Sequence, residues 1–227
     1  MTIDIQPVIC GMIQENAYIV SAEGRDDCVV IDPGDDYPKL KRALGERRLG
    51  AILLTHGHFD HLMAAGELAA ACGATVYVDP RDMELLNDPV LNGYNVLMGS
   101  RQTDWRELDI PLYGDWDIDD PDQKDWKRIE AQPLGGAFES CGMAFDVLDT
   151  PGHSKGSVCL YLKDQGILFS GDTLFREGYG RLDLYGGNVN DLIHSLRRLF
   201  ALPEDTRVYP GHGEPTTIGE ERARYRL

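Results

Sequence analysis

The sequence predicts a layered α/β domain, on two observations. Short apolar runs alternate with stretches of helical periodicity, which is the pattern of sheets covered by helices. Several of those runs end in a Gly-containing turn that carries His or Asp, so the same kind of residue recurs at strand ends through the chain.

In order, Ile3 to Ile9 alternates and predicts a strand, and Asn16 to Val20 a second. Cys28 to Ile31 is a third, ended by the turn Asp32-Pro33-Gly34. From Tyr37 to Arg48, Leu40, Ala43 and Leu44 fall at helical spacing beside basic residues, which predicts an amphipathic helix stopped at Gly50. Ile52 to Leu54 is a strand that enters Thr55-His56-Gly57-His58-Phe59-Asp60-His61. His61 to Cys72 predicts a helix closed by Gly73, Thr75 to Val78 a strand, and Asp79-Pro80 opens a short helix through Leu86.

Asn87 to Gln132 breaks the pattern and is read as an acidic insertion at about 87–132 within a single domain spanning 1–227. Six Asp lie between Asp115 and Asp125. A calcium loop would need Gly and Glu at its sixth and twelfth positions. Those places hold Asp120 and Trp126, so the run is read as solvated. With Trp105, Trp116 and Trp126 interspersed, the insertion is expected to serve as a substrate-side lid or an oligomer contact.

Ala144 to Leu148, Ser157 to Leu162, Gly166 to Ser170 and Arg207 to Pro210 predict further strands. Asn188 to Leu202 predicts a helix with Leu192, Ile193, Leu196 and Leu199 on one face, capped by Asn188 or Asn190.

Thirty-eight acidic against 22 basic residues give a net charge of −16. That charge repels polyanions and argues against nucleic acid and anionic membrane as partners. No apolar stretch approaches the roughly 18–20 residues of a membrane span. The first residues lack the basic region of a secretory signal, so a cytoplasmic location is expected. Cys10, Cys28, Cys72, Cys141 and Cys159 are odd in number and never form CxxC, which fits reduced, structural thiols.

The chemistry concentrates in His56, His58, Asp60 and His61, four potential metal ligands within six positions of a chain with six histidines. His153, Asp172 and His212 follow later strands in similar Gly contexts. Imidazole and carboxylate donors suit zinc, and seven are too many for one ion, so two metals are expected. His194, placed mid-helix and outside these turns, is read as an ordinary histidine.

Thr-His-Gly-His-Phe-Asp-His, Pro-Gly-His, Gly-Asp and Pro-Gly-His-Gly, in this order, resemble the metallo-β-lactamase superfamily over most of the chain. The resemblance implies a four-layer αββα sandwich with the metal site at one edge. It implies one metal on His56, His58 and His153, a second on Asp60, His61 and His212, and Asp172 bridging them. The two ions, zinc in the first instance with iron or manganese as alternatives, would lower the pKa of a shared water and supply hydroxide near pH 7. Asp60 would orient that hydroxide as well as ligate.

Asp172 stands where common zinc β-lactamases place Cys. Gly171 to Phe175, Gly178-Tyr179-Gly180-Arg181, Gly186-Gly187 and Thr216 to Glu221 look like short bacterial glyoxalase II (hydroxyacylglutathione hydrolase) proteins. This implies a hydrolase of a small thioester or ester, S-2-hydroxyacylglutathione-like, with Arg181 and Tyr179 on the substrate side. Arg181 has a second reading, an internal ion pair with Asp183 or Asp172. Two other functions are carried: a persulfide dioxygenase with one iron, which shares the Gly-Arg-x-Asp segment, and a non-catalytic metal-binding or interaction protein. A homo-oligomer is left open.

Overall fold

The computed structural model describes residues 2–97 and 127–225. Its frame is two six-stranded sheets. The first runs in the order β1 (Ile3–Cys10), β2 (Glu15–Ala22), β3 (Asp27–Ile31), β4 (Arg48–Leu53), β5 (Thr75–Val78) and β6 (Ala131–Pro133). The second contains β7 (Ala137–Ser140), β8 (Met143–Asp149), β9 (Val158–Leu162), β10 (Ile167–Gly171), β11 (Arg207–Pro210) and β12 (Thr216–Thr217), side by side in reverse order.

Side-chain alternation along the strands sorts the apolar residues into three layers. Tyr18, Val20, Val29, Ile31 and Leu53 point inward and meet Phe145, Leu160, Leu162 and Phe169 of the second sheet. Ile19, Val30 and Ile52 point outward, under Leu40 and Leu44 of α1 (Tyr37–Leu44) and Leu68 of α2 (Ala65–Cys72). On the far side Cys159, Tyr161, Leu168 and Val208 pack beneath Leu192, Leu196 and Leu199 of α4 (Val189–Leu199). The result is an αββα sandwich, as expected. Because both faces of each sheet are covered, β2 and β9 are buried along their whole length.

Strands β3, β4, β5 and β6 are mutually parallel, as are β10 and β11. Tyr18 Oη donates to the Pro210 carbonyl at 2.6 Å, and Val158 N donates to the Thr55 carbonyl at 2.8 Å. These contacts bring the C-terminal ends of β4, β10 and β11 together on one edge. That edge is where parallel sheets commonly carry ligands.

Some expected elements differ. The first helix ends at Gly45, whose φ of 60° is available to glycine and whose amide donates to Lys41 O. Gly50 does not stop it but lies inside β4. The basic residues Arg47 and Arg48 prolong the polar pattern past the true end. His61 belongs to a single 3₁₀ turn, Phe59–His61, and α2 begins only at Ala65. The helix expected from Asp79 to Leu86 is a 3₁₀ turn, Pro80–Asp82, capped by the Asp79 carboxylate on Arg81 N. Asn188, not Asn190, caps α4, accepting from the amides of Asn190 and Asp191.

Within the acidic insertion, α3 (Tyr94–Leu97) and β6 are described, while the Asp-rich run and all three Trp lie outside the described residues. Both flanks are built into the domain. Asn87 exchanges two 2.9 Å hydrogen bonds with the backbone of Ile129, and Phe59 N donates to Asn92 O. All five cysteines are free thiols, and Cys10, Cys28 and Cys159 are buried. No helix among the described residues is long and apolar enough to cross a membrane.

Candidate metal centre

Each turn that carries a candidate ligand leaves the end of a strand. His56, His58, Asp60 and His61 follow β4, His153 follows β8, Asp172 follows β10 and His212 follows β11. The parallel pairs set the depth of these turns. Ile31 is level with Leu53 across β3 and β4, so Asp32 comes beside Thr55. Gly171 is level with Pro210 across β10 and β11, so Asp172 and His212 emerge together.

The seven residues converge. His56, His58 and His153 form one compact group of donor atoms, and Asp60, His61 and His212 another. A third group, His56, His61 and Asp172, joins them. His58 Nδ1 lies 2.7 Å from His153 Nε2. His212 Nε2 lies 3.2 Å from Asp60 Oδ2. Asp172 stands between the groups, with Oδ1 3.3 Å from His61 Nε2 and Oδ2 3.5 Å from His153 Nε2. Oδ2 is also 3.7 Å from His212 Nε2.

Three of the rings are hydrogen-bonded on their outer faces, which turns their inner nitrogens toward the cluster. His61 Nδ1 donates to Asp32 Oδ2 at 3.1 Å. Thr55 Oγ1 donates to the same oxygen at 2.6 Å, and its own oxygen receives His56 Nδ1 at 3.0 Å. His153 Nδ1 donates to the Arg181 carbonyl at 2.7 Å. Partners of this kind fix tautomer and ring orientation in metal sites.

These residues fit a divalent cation. His56 Nε2, His61 Nε2 and Asp172 Oδ1 are buried and have no hydrogen-bond partner, although Asp172 Oδ1 and His61 Nε2 face each other. Buried polar atoms without partners are costly, and a cation bound by imidazole and carboxylate removes that cost. Two glycines keep the space around the cluster. A Cβ on Gly180 would stand 2.6 Å from His153 Nδ1, and one on Gly211 would stand 2.6 Å from His61 Cε1.

The electrostatics of the metal-free centre divide it. Burial, followed by the neighbouring histidines, holds His56 well below the ordinary range of imidazole. Burial, then His153, brings His58 down to about 3. His61 is displaced the other way. Burial lowers it, but Asp172, Asp60 and Asp32 outweigh burial and raise it well above 6.5. His212 is also raised, against its own burial, by Asp60 and Asp172. Asp60 and Asp172 are held low: burial opposes this, but His61 and His212 overcome it.

The profile of the Metallo-beta-lactamase superfamily matches residues 10–212. The chain belongs to that superfamily. It is 37% identical over 215 residues to "Probable metallo-hydrolase YqgX" of Bacillus subtilis, covering 93% of this chain and 91% of the relative. It is 34% identical over 208 residues to a "Hydroxyacylglutathione hydrolase" of Aeromonas hydrophila, covering 91% of this chain and 65% of the relative. Among solved structures it resembles BLEG-1 B3 metallo-beta-lactamase, with TM-score 0.79, 34% identity and 97% of each chain covered. It also resembles TTHA1623 in a di-iron-bound form, with TM-score 0.73, 37% identity and 96% of each chain covered. The His and Asp groups of this superfamily member are consistent with a dinuclear site.

The expected substrate-side residues lie on the loop after Asp172. Tyr179 is 48% exposed, with its ring 6.3 Å from that of Tyr225. Arg181 makes a two-pronged ion pair with Asp183, at 2.6 and 2.7 Å, so the internal partner foreseen for it is present. His194 is exposed on α4.

Sequence reasoning missed three buried carboxyl groups. Asp32 looked like part of a turn. Glu15 is 1% exposed and 3.8 Å from His61 Nδ1, and burial pushes its carboxyl well above the ordinary range. Asp82 is fully buried and accepts from Gly57 N at 2.9 Å, Ser154 Oγ at 2.6 Å and Gly156 N at 2.7 Å. It ties the His56–His58 turn to the His153 turn. The only signal available for Asp82 was an acid among apolar residues in a segment expected to be helical.

Proposed function

We propose that this chain is a dinuclear metal hydrolase that cleaves a small thioester or ester with water, of the S-2-hydroxyacylglutathione kind. The observation that carries it is the place of Asp172, a buried carboxylate with one oxygen toward His61 and the other toward His153 and His212. On this reading His56, His58 and His153 hold one ion, Asp60, His61 and His212 hold the second, and Asp172 belongs to both. A pair of divalent cations supplies a Lewis acid for the substrate carbonyl and lowers the pKa of water toward neutrality. Zinc suits the donor set, and so does iron, which TTHA1623 carries in its di-iron-bound form.

The protein's own part is orientation and charge. Asp32, Thr55 and the Arg181 carbonyl accept from the outer nitrogens of His61, His56 and His153 and so turn their inner nitrogens toward the ions. Asp60, 15% exposed at its side chain and 3.2 Å from His212 Nε2, is on this reading the residue that accepts a proton or orients water. Tyr179 and Arg181 line the substrate side, and Arg181 would exchange Asp183 for a substrate carboxylate. The likeness to a hydroxyacylglutathione hydrolase supports the thioester class.

The test is elemental analysis of purified protein together with hydrolysis of S-lactoylglutathione. About two metal ions per chain and loss of the thioester are expected. A single iron, with oxygen consumed on glutathione persulfide, would overturn the reading in favour of a dioxygenase.

A further inference from the structure

The segment Thr216 to Glu221 stands out in the sequence, yet none of its side chains reaches the metal centre. Thr217 caps α5 (Ile218–Arg222) by accepting from Glu220 N. Glu221, in that helix, is fully buried. Its Oε1 accepts from Thr216 Oγ1 at 2.7 Å, and its Oε2 accepts from the backbone amide of Glu177 at 3.0 Å. A buried carboxylate that receives a main-chain amide from a remote loop fixes that loop.

The loop in question leaves Asp172 and returns at Arg181. Phe175 N and Gly178 O close its tip at 2.8 Å. On the way out, the Phe175 ring meets the His212 ring edge-on, with centroids 5.9 Å apart. On the way back, Gly180 N donates to Asp172 O at 2.9 Å, and Arg181 O receives His153 Nδ1 at 2.7 Å. Thus both arms of the loop touch candidate metal ligands. Its tip is the strained point, since Glu177 has φ 65°, a left-handed conformation that a side-chain-bearing residue adopts only at a cost. Glu221 holds that conformation by taking its amide, and Arg224 adds a 3.0 Å ion pair to Glu177. Arg176 pairs with Glu214 on the same side.

We propose that Glu221 is a positioning residue of the hydrolase, which sets the Asp172–Arg181 loop over the metal centre through the Glu177 amide. This rests on the hydrolase reading given above, because the loop carries Tyr179 and Arg181. The role assigned to the Thr216–Glu221 segment is therefore to set the substrate side from outside the site.

The experiment compares Glu221→Ala, Glu221→Gln and the parent protein, all metal-loaded. In Glu221→Ala, amides 174–181 should exchange with solvent at least about tenfold faster, with metal content unchanged. KM for S-lactoylglutathione should rise about tenfold, with kcat changed less than about threefold. Glu221→Gln keeps the length, an acceptor for Glu177 N and a donor for the Thr216 hydroxyl, so it should restore both quantities to within about threefold. A folded Glu221→Ala protein with loop exchange and KM unchanged overturns the proposal, as does a fall in thermal stability with no other effect. If Glu221→Ala does not fold, Glu221→Asp decides by the same exchange measurement. It keeps the charge but is one methylene short, so faster loop exchange supports the anchor and unchanged exchange removes it. Exchange needs no substrate. A parent protein inactive on the thioester would sink the hydrolase reading and leave the anchor itself measurable.

Discussion

Asp32 Oδ2 lies 3.1 Å from His61 Nδ1, and through Thr55 the same oxygen also governs His56. One carboxylate therefore decides which nitrogen is free on two of the converging histidines. Asp32→Asn keeps the shape but puts an NH2 donor where one carboxylate oxygen accepted, so it faces other donors and one ring loses its acceptor. The expected outcome is a loss of metal affinity of about 10–100-fold, read by competition with a chelator of known affinity. Unchanged affinity would mean that packing alone orients these rings.

Asp82 performs the equivalent task for the other group. Its three donors come from Gly57, Ser154 and Gly156, on two separate turns. Asp82→Ala leaves two amides and a hydroxyl without acceptors in a fully buried place. We expect a loss of about 3 kcal/mol in unfolding free energy, measured by denaturant titration of the metal-free protein. Ser154→Ala removes one donor and should cost about 1 kcal/mol. Equal effects for the two variants would contradict the hub role of Asp82.

These two residues show where the sequence was legible and where it was not. Helix and strand periodicity located nine of the strands, because β2, β4, β9 and β10 are buried and apolar enough to read directly. The short strands β6, β7 and β12 bury too few residues to leave a pattern. The histidines of the β4 turn were legible because four potential ligands lie within six positions of the chain. Asp32 and Asp82 were not. Their roles come from partners 23 to 74 residues away, joined only by the parallel register of β3 and β4 and by the turn after β5. Helix α1 was read too long because charge continues past Gly45, while the conformation that ends it leaves only a single glycine as its mark.

Acid should empty the centre in two stages. A proton competes with a metal for each imidazole, so affinity falls with pH once the metal-free group begins to protonate. His61 and His212 are raised above 6.5, so near neutral pH a metal must displace their protons. His58 is down at about 3 and His56 well below 6.5, so no proton need leave these rings there. Asp60 and Asp172 are lowered from 3.8 and stay ionised through the same range. The group containing His61 and His212 should therefore lose its ion first as pH falls below neutral. Dialysis at stepwise lower pH, followed by elemental analysis, should show a plateau near one ion per chain. Loss of both ions in a single step would contradict this division.

Asp172 gives the sharpest check on the shared centre. If it belongs to both ions, Asp172→Ala should weaken both, and metal content after gel filtration should fall below one ion per chain. Asp60→Ala touches only the second group and should leave about one. Hydrolysis of S-lactoylglutathione should fall by about 10³-fold or more in Asp172→Ala, because nucleophile and Lewis acid depend on the same ions. Asp172→Asn refines the point. It keeps one oxygen, but the amide nitrogen it presents on the other side is a poor ligand. It should thus retain one ion more firmly than the other. Full metal content in Asp172→Ala, with activity intact, would show that the carboxylate between His61 and His153 is not the bridge.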